Sequence, residues 1–174
     1  MHDTLCDYVL ELVHNAIEAD AKKVDILLEE HPDNTLLRVA DDGRGMRSEM
    51  VRTCLDPFQT DSGKHPERQT GLGLALLDAI ITDAAGTITI KSEPGFGTEI
   101  TIVFDPKHPD SFPIGNLAEL GLLISSGIEE CSFRLVHRSK QTCYQYDFRS
   151  GVTQHESPLQ IKTEIARWEE TLDI

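Results

Sequence analysis

The sequence has no long apolar run and few basic residues. No segment approaches the ~18 consecutive apolar residues that a membrane-spanning helix requires. The first residues, MHDTLCDYVLELV, are acidic where a secretory signal would be basic, so we expect a soluble, cytoplasmic protein. Sixteen basic residues stand against thirty acidic ones, giving a formal net charge of −14. Because so few basic residues are available to form a basic surface, we expect neither nucleic acid nor a membrane as a partner.

Common cofactor-binding patterns are also missing. The four cysteines form no CxxC pair, and no histidine lies at a metal-ligand interval from a cysteine or another histidine, which argues against a structural metal site. Gly63-Lys64 is not part of a Walker loop, because Phe58 occupies the place of its first glycine and His65 that of its Ser or Thr. No GxGxxG follows a strand and opens a helix, so a Rossmann fold lacks its main support.

The 174 residues, 39% of them apolar, are enough for one domain with a proper core. A chain break at KHPDSFP (107–113) predicts a domain of residues 1–106 and a small α+β extension of residues 107–174 with no assigned role. Residues 56–69 have no periodicity and predict a long loop, of a length that is typical of functional or mobile segments. Apolar spacing predicts helices at about 4–19, 46–55, 71–85, 114–127 and 158–172, and strands at 24–30, 35–41, 87–93, 98–105, 133–139 and 142–148.

The first helix carries an unusual polar pair. In ELVHNAIEADA (11–21), Glu11 and Asn15 are four residues apart, so both side chains point to the same side of the helix. Asn is a poor helix former. A solubilising surface is the ordinary explanation of such a pair, and the helix alone does not decide between that and a binding site.

Three glycine motifs follow. In DDGRGM (41–46), Asp41 ends a strand and could accept a hydrogen bond from an exocyclic amine, which adenine has and guanine lacks at that position. Gly43 and Gly45 permit a sharp turn beside a flat ligand. TGLGLALL (70–77) puts glycines at a helix start, where free N–H groups suit phosphate. GFGT (95–98) turns a hairpin. Each motif alone also fits a plain turn, helix entry or hairpin.

Together, the order and spacing of these motifs resemble the GHKL ATPase superfamily, which includes DNA gyrase B subunits, heat-shock chaperone ATPases, sensor histidine kinases and mismatch-repair ATPases. The likeness covers about residues 5 to 105. It implies a Bergerat fold, that is, an α/β two-layer sandwich with a mixed sheet and helices on one face. It also implies ATP and Mg²⁺ as cofactors.

The resemblance assigns roles to individual residues. Asn15 would coordinate Mg²⁺, Asp41 would bind the adenine amino group, and residues 56–70 would form the ATP lid. Glu11 occupies the place of the general base of gyrase-like and mismatch-repair ATPases and of anti-sigma-factor serine kinases, whereas many sensor histidine kinases have other residues there. The nucleotide-binding residues that it implies are Asn15, Asp41, Gly43, Gly45, Met46, Phe58, Thr70, Gly71, Leu72, Gly73 and Thr98.

The sequence therefore favours an enzyme that binds Mg-ATP and either hydrolyses it slowly or passes the γ-phosphate to a separately encoded protein, with Glu11 as base. Two alternatives stay open: a non-catalytic nucleotide-sensing regulatory module and a stand-alone histidine-kinase-type catalytic domain. Glu11 favours the enzyme. We expect neither the transducer domain of gyrase-like members nor the histidine-bearing acceptor domain of sensor kinases in this sequence, which favours the module. In the glycine motif at the start of the predicted helix 71–85, Gln69 stands where the family has its first glycine. We therefore expect the ATP lid to be less flexible.

Overall fold

The computed structural model describes residues 4–56, 71–127, 131–140 and 143–148. Its elements confirm the sequence-predicted ones there to within three residues at either end. The predicted loop beyond Asp56 and the predicted helix at 158–172 lie outside the described residues. The helices are α1 (Leu5–Glu18), α2 (Ser48–Thr53), α3 (Gly71–Asp83) and α4 (Leu117–Gly127), and the strands are β1 (Lys23–Glu30), β2 (Thr35–Asp41), β3 (Thr87–Glu93), β4 (Gly97–Phe104), β5 (Ser132–Arg138) and β6 (Cys143–Phe148).

The described strands form one mixed sheet in the order β3-β4-β2-β1-β5-β6. All neighbouring strands are antiparallel except β1 and β5, which run parallel. Such a parallel pair needs a crossover connection, and α4 lies within it. The predicted fold class, a two-layer α/β sandwich with a mixed sheet, is confirmed.

The register places apolar side chains from neighbouring strands on one face. Ile26 lies opposite Val39, Leu28 opposite Leu37, and Leu37 opposite Ile102. Paired residues point to the same side of a sheet, so these buried residues make one continuous apolar surface. The helix residues buried in the same core include Leu5, Val9, Leu12 and Val13 of α1, Leu74, Leu77 and Ile81 of α3, and Leu117, Leu120 and Ile124 of α4.

The opposite face of the sheet is polar. It carries cross-strand ion pairs such as Arg38 with Glu99, at 3.4 Å, and Arg138 with Glu29, at 2.8 Å. Pairs at such exposed positions contribute little to stability. Among the described helices, α1, α3 and α4 pack on the apolar face, as the half-polar strands predict.

Helix α1 is held at its N-terminus by a segment distant in sequence. The N–H groups of Leu5 and Cys6 donate to the carbonyl oxygens of Pro113 and Ile114, each at 2.9 Å. A helix leaves these first N–H groups without intrahelical partners, so the segment caps α1. Gly115 has a φ of +92°, and a Cβ at this position would lie 2.6 Å from the hydroxyl oxygen of Thr4. The close contact therefore leaves no room for a side chain.

This capping explains why α4 begins three residues later than predicted. Residues 113–115 are used against α1 and are not helical. Asn116 then caps the new helix, because its side-chain oxygen accepts a hydrogen bond from the N–H of Glu119 at 2.9 Å. A pattern of apolar spacing contains no information about such a tertiary contact.

The segment after residue 107, predicted as a small extension, adds to the same sheet and core. Strand β5 pairs along β1, and Phe133 and Leu135 are buried with the residues of α1 and α4. The buried His137 joins the same two strands, with its Nε2 2.5 Å from a carboxylate oxygen of Glu30. In the part of the chain that the structure describes, no helix combines the length and the apolar character needed to span a bilayer.

Candidate functional site

The polar pair of α1 lies at the edge of the helix layer. Glu11 and Asn15 are both half-buried, whereas His14 between them is exposed. The two side chains are one turn apart on the same side, as their spacing predicts. The apolar positions of α1 face the core, so the polar pair is left beside the start of α3.

Glu11 reaches the first turn of α3 directly. A Cβ built on Gly73 would lie 1.6 Å from Glu11 Oε1 and 2.5 Å from its Cδ. The carboxylate therefore rests against the bare Cα of this glycine, and a larger residue would displace it. Gly71 and Leu72 are also in this first turn, where a helix presents N–H groups that have no intrahelical acceptor. A carboxylate and a potential anion-binding helix start are thus in contact.

The two consecutive aspartates at the end of β2 have different tasks. Asp41 points to the covered face, and its Oδ1 accepts a hydrogen bond from the N–H of Gly43 at 2.8 Å. Asp42 accepts hydrogen bonds from the N–H groups of Lys22 and Lys23, at 2.7 and 2.8 Å, and so fixes the start of β1. Of the two, Asp41 is the one on the covered face of the sheet, beside Thr98.

Burial raises the pKa of the Asp41 carboxyl above its ordinary value. The backbone N–H groups of Gly43 and Thr98 lower it in part, and the charge of Asp42 raises it further. An acid that is both buried and held by backbone hydrogen bonds has a fixed orientation. Perturbed groups of this kind occur often at functional sites.

The glycines of the two loops are required by close backbone contacts. A Cβ on Gly45, whose φ is +64°, would lie 2.0 Å from the carbonyl oxygen of Glu93. A Cβ on Gly97, whose φ is +92°, would lie 1.9 Å from the carbonyl oxygen of Asp41. The loop after β2 therefore packs against the β3–β4 hairpin with no room for side chains. The sequence explained Gly45 by access for a ligand, and the structure adds packing between loops as a reason.

Arg44, which the sequence did not single out, joins this loop to α1. Its N–H donates to the carbonyl oxygen of Ala19 at 2.8 Å, and its Nη2 donates to that of Glu18 at 2.5 Å. The last carbonyl groups of a helix lack intrahelical partners, and a cation there is favourable. The end of β2 and the polar pair of α1 are thereby held in a fixed relation.

Ser92 is a second residue that the sequence missed. It lies in β3 directly opposite Thr98 in β4, and the two hydroxyl oxygens are 2.9 Å apart. Its Oγ is also 2.8 Å from the backbone nitrogen of Met46. Counting back from the GFGT turn would have placed Ser92 beside Thr98, so the signal was present in the hairpin register.

The structure brings most of the predicted residues to one end of the sheet. Asp41 and Thr98 are paired neighbours in adjacent strands. The loop with Gly43, Gly45 and Met46 joins them to α1. Phe58 and Thr70 lie outside the described residues.

The chemistry of these groups fits ATP with Mg²⁺. Mg²⁺ prefers oxygen ligands, and the side-chain amide of Asn15 supplies one, one turn away from the Glu11 carboxylate. The first turn of α3 suits phosphate oxygens, and the Asp41 carboxylate suits an amino group. Helix α1 meets α3 where Glu11 lies against Gly73, and Asp41 lies beside Thr98 in the paired strands β2 and β4.

Comparison with known proteins confirms the resemblance seen in the sequence. The sequence model of the family described as histidine kinase-, DNA gyrase B- and HSP90-like ATPase matches residues 2–108. The chain is 33% identical over 100 residues to the sensor histidine kinase YxdK of Bacillus subtilis, covering 54% of the chain and 30% of that protein. It is 35% identical over 95 residues to the heme sensor protein HssS of Staphylococcus saprophyticus, covering 53% and 20%.

A third relative is sporulation kinase A of Bacillus subtilis, 33% identical over 100 residues, which are 56% of the chain and 16% of that kinase. The match thus spans less than a third of each of these relatives. The family model covers the segment that contains α1 to β4.

Proposed function

The chain belongs to the family of histidine kinase-, DNA gyrase B- and HSP90-like ATPases, and from that premise we propose that it binds Mg-ATP and transfers the γ-phosphoryl group. The observation that carries the proposal is the contact between the Glu11 carboxylate and Gly73 at the start of α3. It joins a candidate base to a candidate phosphate site. The adenine would lie at the Asp41 end, where the carboxylate accepts from its amino group.

Glu11 is the base in this proposal. Its carboxylate takes the proton from a water or hydroxyl O–H as that oxygen bonds to the γ-phosphorus. The bond from the γ-phosphorus to the bridging oxygen breaks, and ADP leaves with the electron pair. Asn15 would hold Mg²⁺, which neutralises phosphate charge when bound. The short distance from Glu11 to the start of α3 supports this assignment.

The acceptor is water or a separately encoded protein. The relatives are named as sensor and sporulation kinases, which favours transfer to a protein over simple hydrolysis. We place the protein in the cytoplasm, in keeping with its use of ATP. This gives three linked expectations: binding of Mg-ATP, slow phosphate release alone, and faster loss of the γ-phosphate with a partner.

A Glu11→Gln variant tests the proposal. Gln keeps the size and polarity of the side chain but cannot accept the proton, so the variant should bind Mg-ATP as wild type does and lose turnover by roughly 10²- to 10⁴-fold. Binding is measured by calorimetry and turnover by phosphate release. Glu18→Gln is the matched control, because Glu18 is an exposed glutamate of the same helix and should leave both quantities unchanged.

Two results would decide against the proposal. No binding of ATP to the wild-type protein would refute the nucleotide site itself. Binding with equal, background turnover in wild type and Glu11→Gln would refute the role of Glu11 and favour a nucleotide-sensing regulatory module.

A further inference from the structure

The Ser92 hydroxyl lies at the centre of a small hydrogen-bond network beside the predicted adenine site. Its oxygen is 2.8 Å from the backbone nitrogen of Met46, 2.9 Å from the carbonyl oxygen of Gly97 and 2.9 Å from the hydroxyl oxygen of Thr98. The three partners come from the loop after β2, from the hairpin turn and from β4. A single side chain therefore joins the parts that surround Asp41.

The direction of each hydrogen bond follows from the number of hydrogens available. A serine hydroxyl has one hydrogen to donate and two lone pairs that accept. The carbonyl oxygen of Gly97 can only accept, so Ser92 donates its hydrogen there. The N–H of Met46 can only donate, so Ser92 accepts from it. Ser92 then has no hydrogen left for Thr98, and the Thr98 hydroxyl must donate to Ser92.

This direction determines what Thr98 can offer to a ligand. Its one hydroxyl hydrogen is used by Ser92, so its oxygen presents only lone pairs to the site. Asp41, its paired neighbour in β2, presents carboxylate oxygens. Adjacent side chains on this part of the sheet are therefore both hydrogen-bond acceptors.

Two neighbouring acceptors match a group with two N–H hydrogens. The 6-amino group of adenine is such a group. A 6-oxo purine puts a carbonyl oxygen there, and lone pairs would then face lone pairs. An unmatched polar group in such a site is costly.

We propose that Ser92 is a positioning residue that sets nucleotide specificity: by taking the Thr98 hydroxyl hydrogen, it keeps Thr98 an acceptor and so favours 6-amino over 6-oxo purine nucleotides. The inference rests on the proposed function, because it concerns the same nucleotide site. Ser92 acts through Thr98 and need not touch the nucleotide. Asp41 accepts hydrogen bonds through its own carboxylate, whereas Ser92 determines that the neighbouring Thr98 hydroxyl accepts from a ligand and does not donate to it.

The test compares the dissociation constants of Mg-ATP and Mg-ITP, which carry an amino group and a carbonyl at purine position 6. Wild type should prefer ATP. In Ser92→Ala, the Thr98 hydroxyl is free to rotate and donate to the carbonyl, so the ratio of the two constants should narrow by roughly 3- to 10-fold, the value of one hydrogen bond. Ser92→Thr keeps the hydroxyl and should keep the wild-type ratio. An unchanged ratio in Ser92→Ala overturns the inference.

Thr98→Val gives a second, independent measurement if Ser92→Ala does not fold. It removes the acceptor and leaves the contacts of Ser92 with Met46 and Gly97 in place, so the ratio should narrow here also. A ratio that Thr98→Val leaves unchanged overturns the inference. Failure of wild type to bind ATP at all would instead refute the proposed function, so the two failures are distinguishable. A general loss of stability would weaken the binding of both nucleotides equally and leave the ratio of their dissociation constants unchanged, a result that also contradicts the proposed role of Ser92.

Discussion

The contact between Glu11 and Gly73 gives a sharp prediction for Gly73→Ala. The new Cβ would lie 1.6 Å from Glu11 Oε1, where no two heavy atoms can stay. Glu11 ends in a flexible side chain, so the carboxylate moves and the backbone does not. It must retreat by about 1.5–2 Å to reach ordinary contact distance.

The expected effect falls on turnover and not on stability. Ala is a better helix former than Gly by about 1 kcal/mol, which offsets the cost of turning one side chain. The free energy of unfolding should therefore change by less than about 1 kcal/mol. A misplacement of about 1 Å in a catalytic group can cost roughly 10²-fold, so turnover of Mg-ATP should fall by at least that factor.

The assay is phosphate release by wild type, Gly73→Ala, Glu11→Gln and the double variant, with urea unfolding of each. If Gly73→Ala acts by displacing Glu11, the double variant should be no slower than Glu11→Gln alone, because the base is already lost. Losses that multiply would refute this reasoning and show that Gly73 acts on the nucleotide itself. Wild-type turnover in Gly73→Ala would show that Glu11 does not work from its position in this structure.

Two further predictions concern the opposite end of the site. Asp41→Asn should weaken ATP binding yet raise the melting temperature of the nucleotide-free protein at pH 7, because burial raises the pKa of Asp41. A carboxyl whose pKa is raised in the folded state stabilises the fold at a pH below its unfolded pKa, about 3.9, and loses that contribution as the pH rises through its folded pKa. The rise in melting temperature caused by Asp41→Asn should therefore shrink on acidification. A lower melting temperature of the variant at pH 7 would contradict this account. Gly45→Ala should cost more than about 2 kcal/mol of unfolding free energy, since its Cβ meets the carbonyl of Glu93 at 2.0 Å. Gly95→Ala is the matched control, because Gly95 also has a positive φ but a Cβ built on it would have no atom within 4 Å. This variant should cost about 1–2 kcal/mol of unfolding free energy. Equal losses of unfolding free energy in the two variants, measured by urea unfolding, would argue against the backbone contact at Gly45.

The sequence predicted the local elements well, because they depend on periodicity. Alternation defined the strands up to Phe104, and helical spacing defined α1, whose first turn is closed by a capping box between Thr4 and Asp7. The helix start at 114 was wrong by three residues because Pro113 and Ile114 are used to cap α1.

The sequence could not have shown how the strands after residue 107 join the sheet. Parallel pairing of β5 with β1 joins Val24 to Phe133, more than a hundred residues apart in the chain. No short-range pattern contains such a register. The same is true of Arg44 at the end of α1, because its role depends on a tertiary contact with carbonyl groups.

For the site, the sequence motifs identified the elements but not the reasons for each residue. Asp41 was chosen over Asp42 by its place in the motif, and that choice stays a prediction. The structure adds that Asp42 accepts hydrogen bonds from the N–H groups of Lys22 and Lys23. Ser92 was overlooked because a serine in a hairpin strand has no distinctive pattern.

The parallel pairing of β5 with β1 has a consequence for any attempt to isolate the part of the chain that matches the family. A fragment ending at residue 106 would turn β1 into an edge strand, with its backbone N–H and C=O groups open along one side. Val24, Ile26 and Leu28 alternate along that edge, a pattern that recruits other copies into extended intermolecular sheets. Such a fragment is expected to precipitate, and only the longer chain protects the strand from self-association.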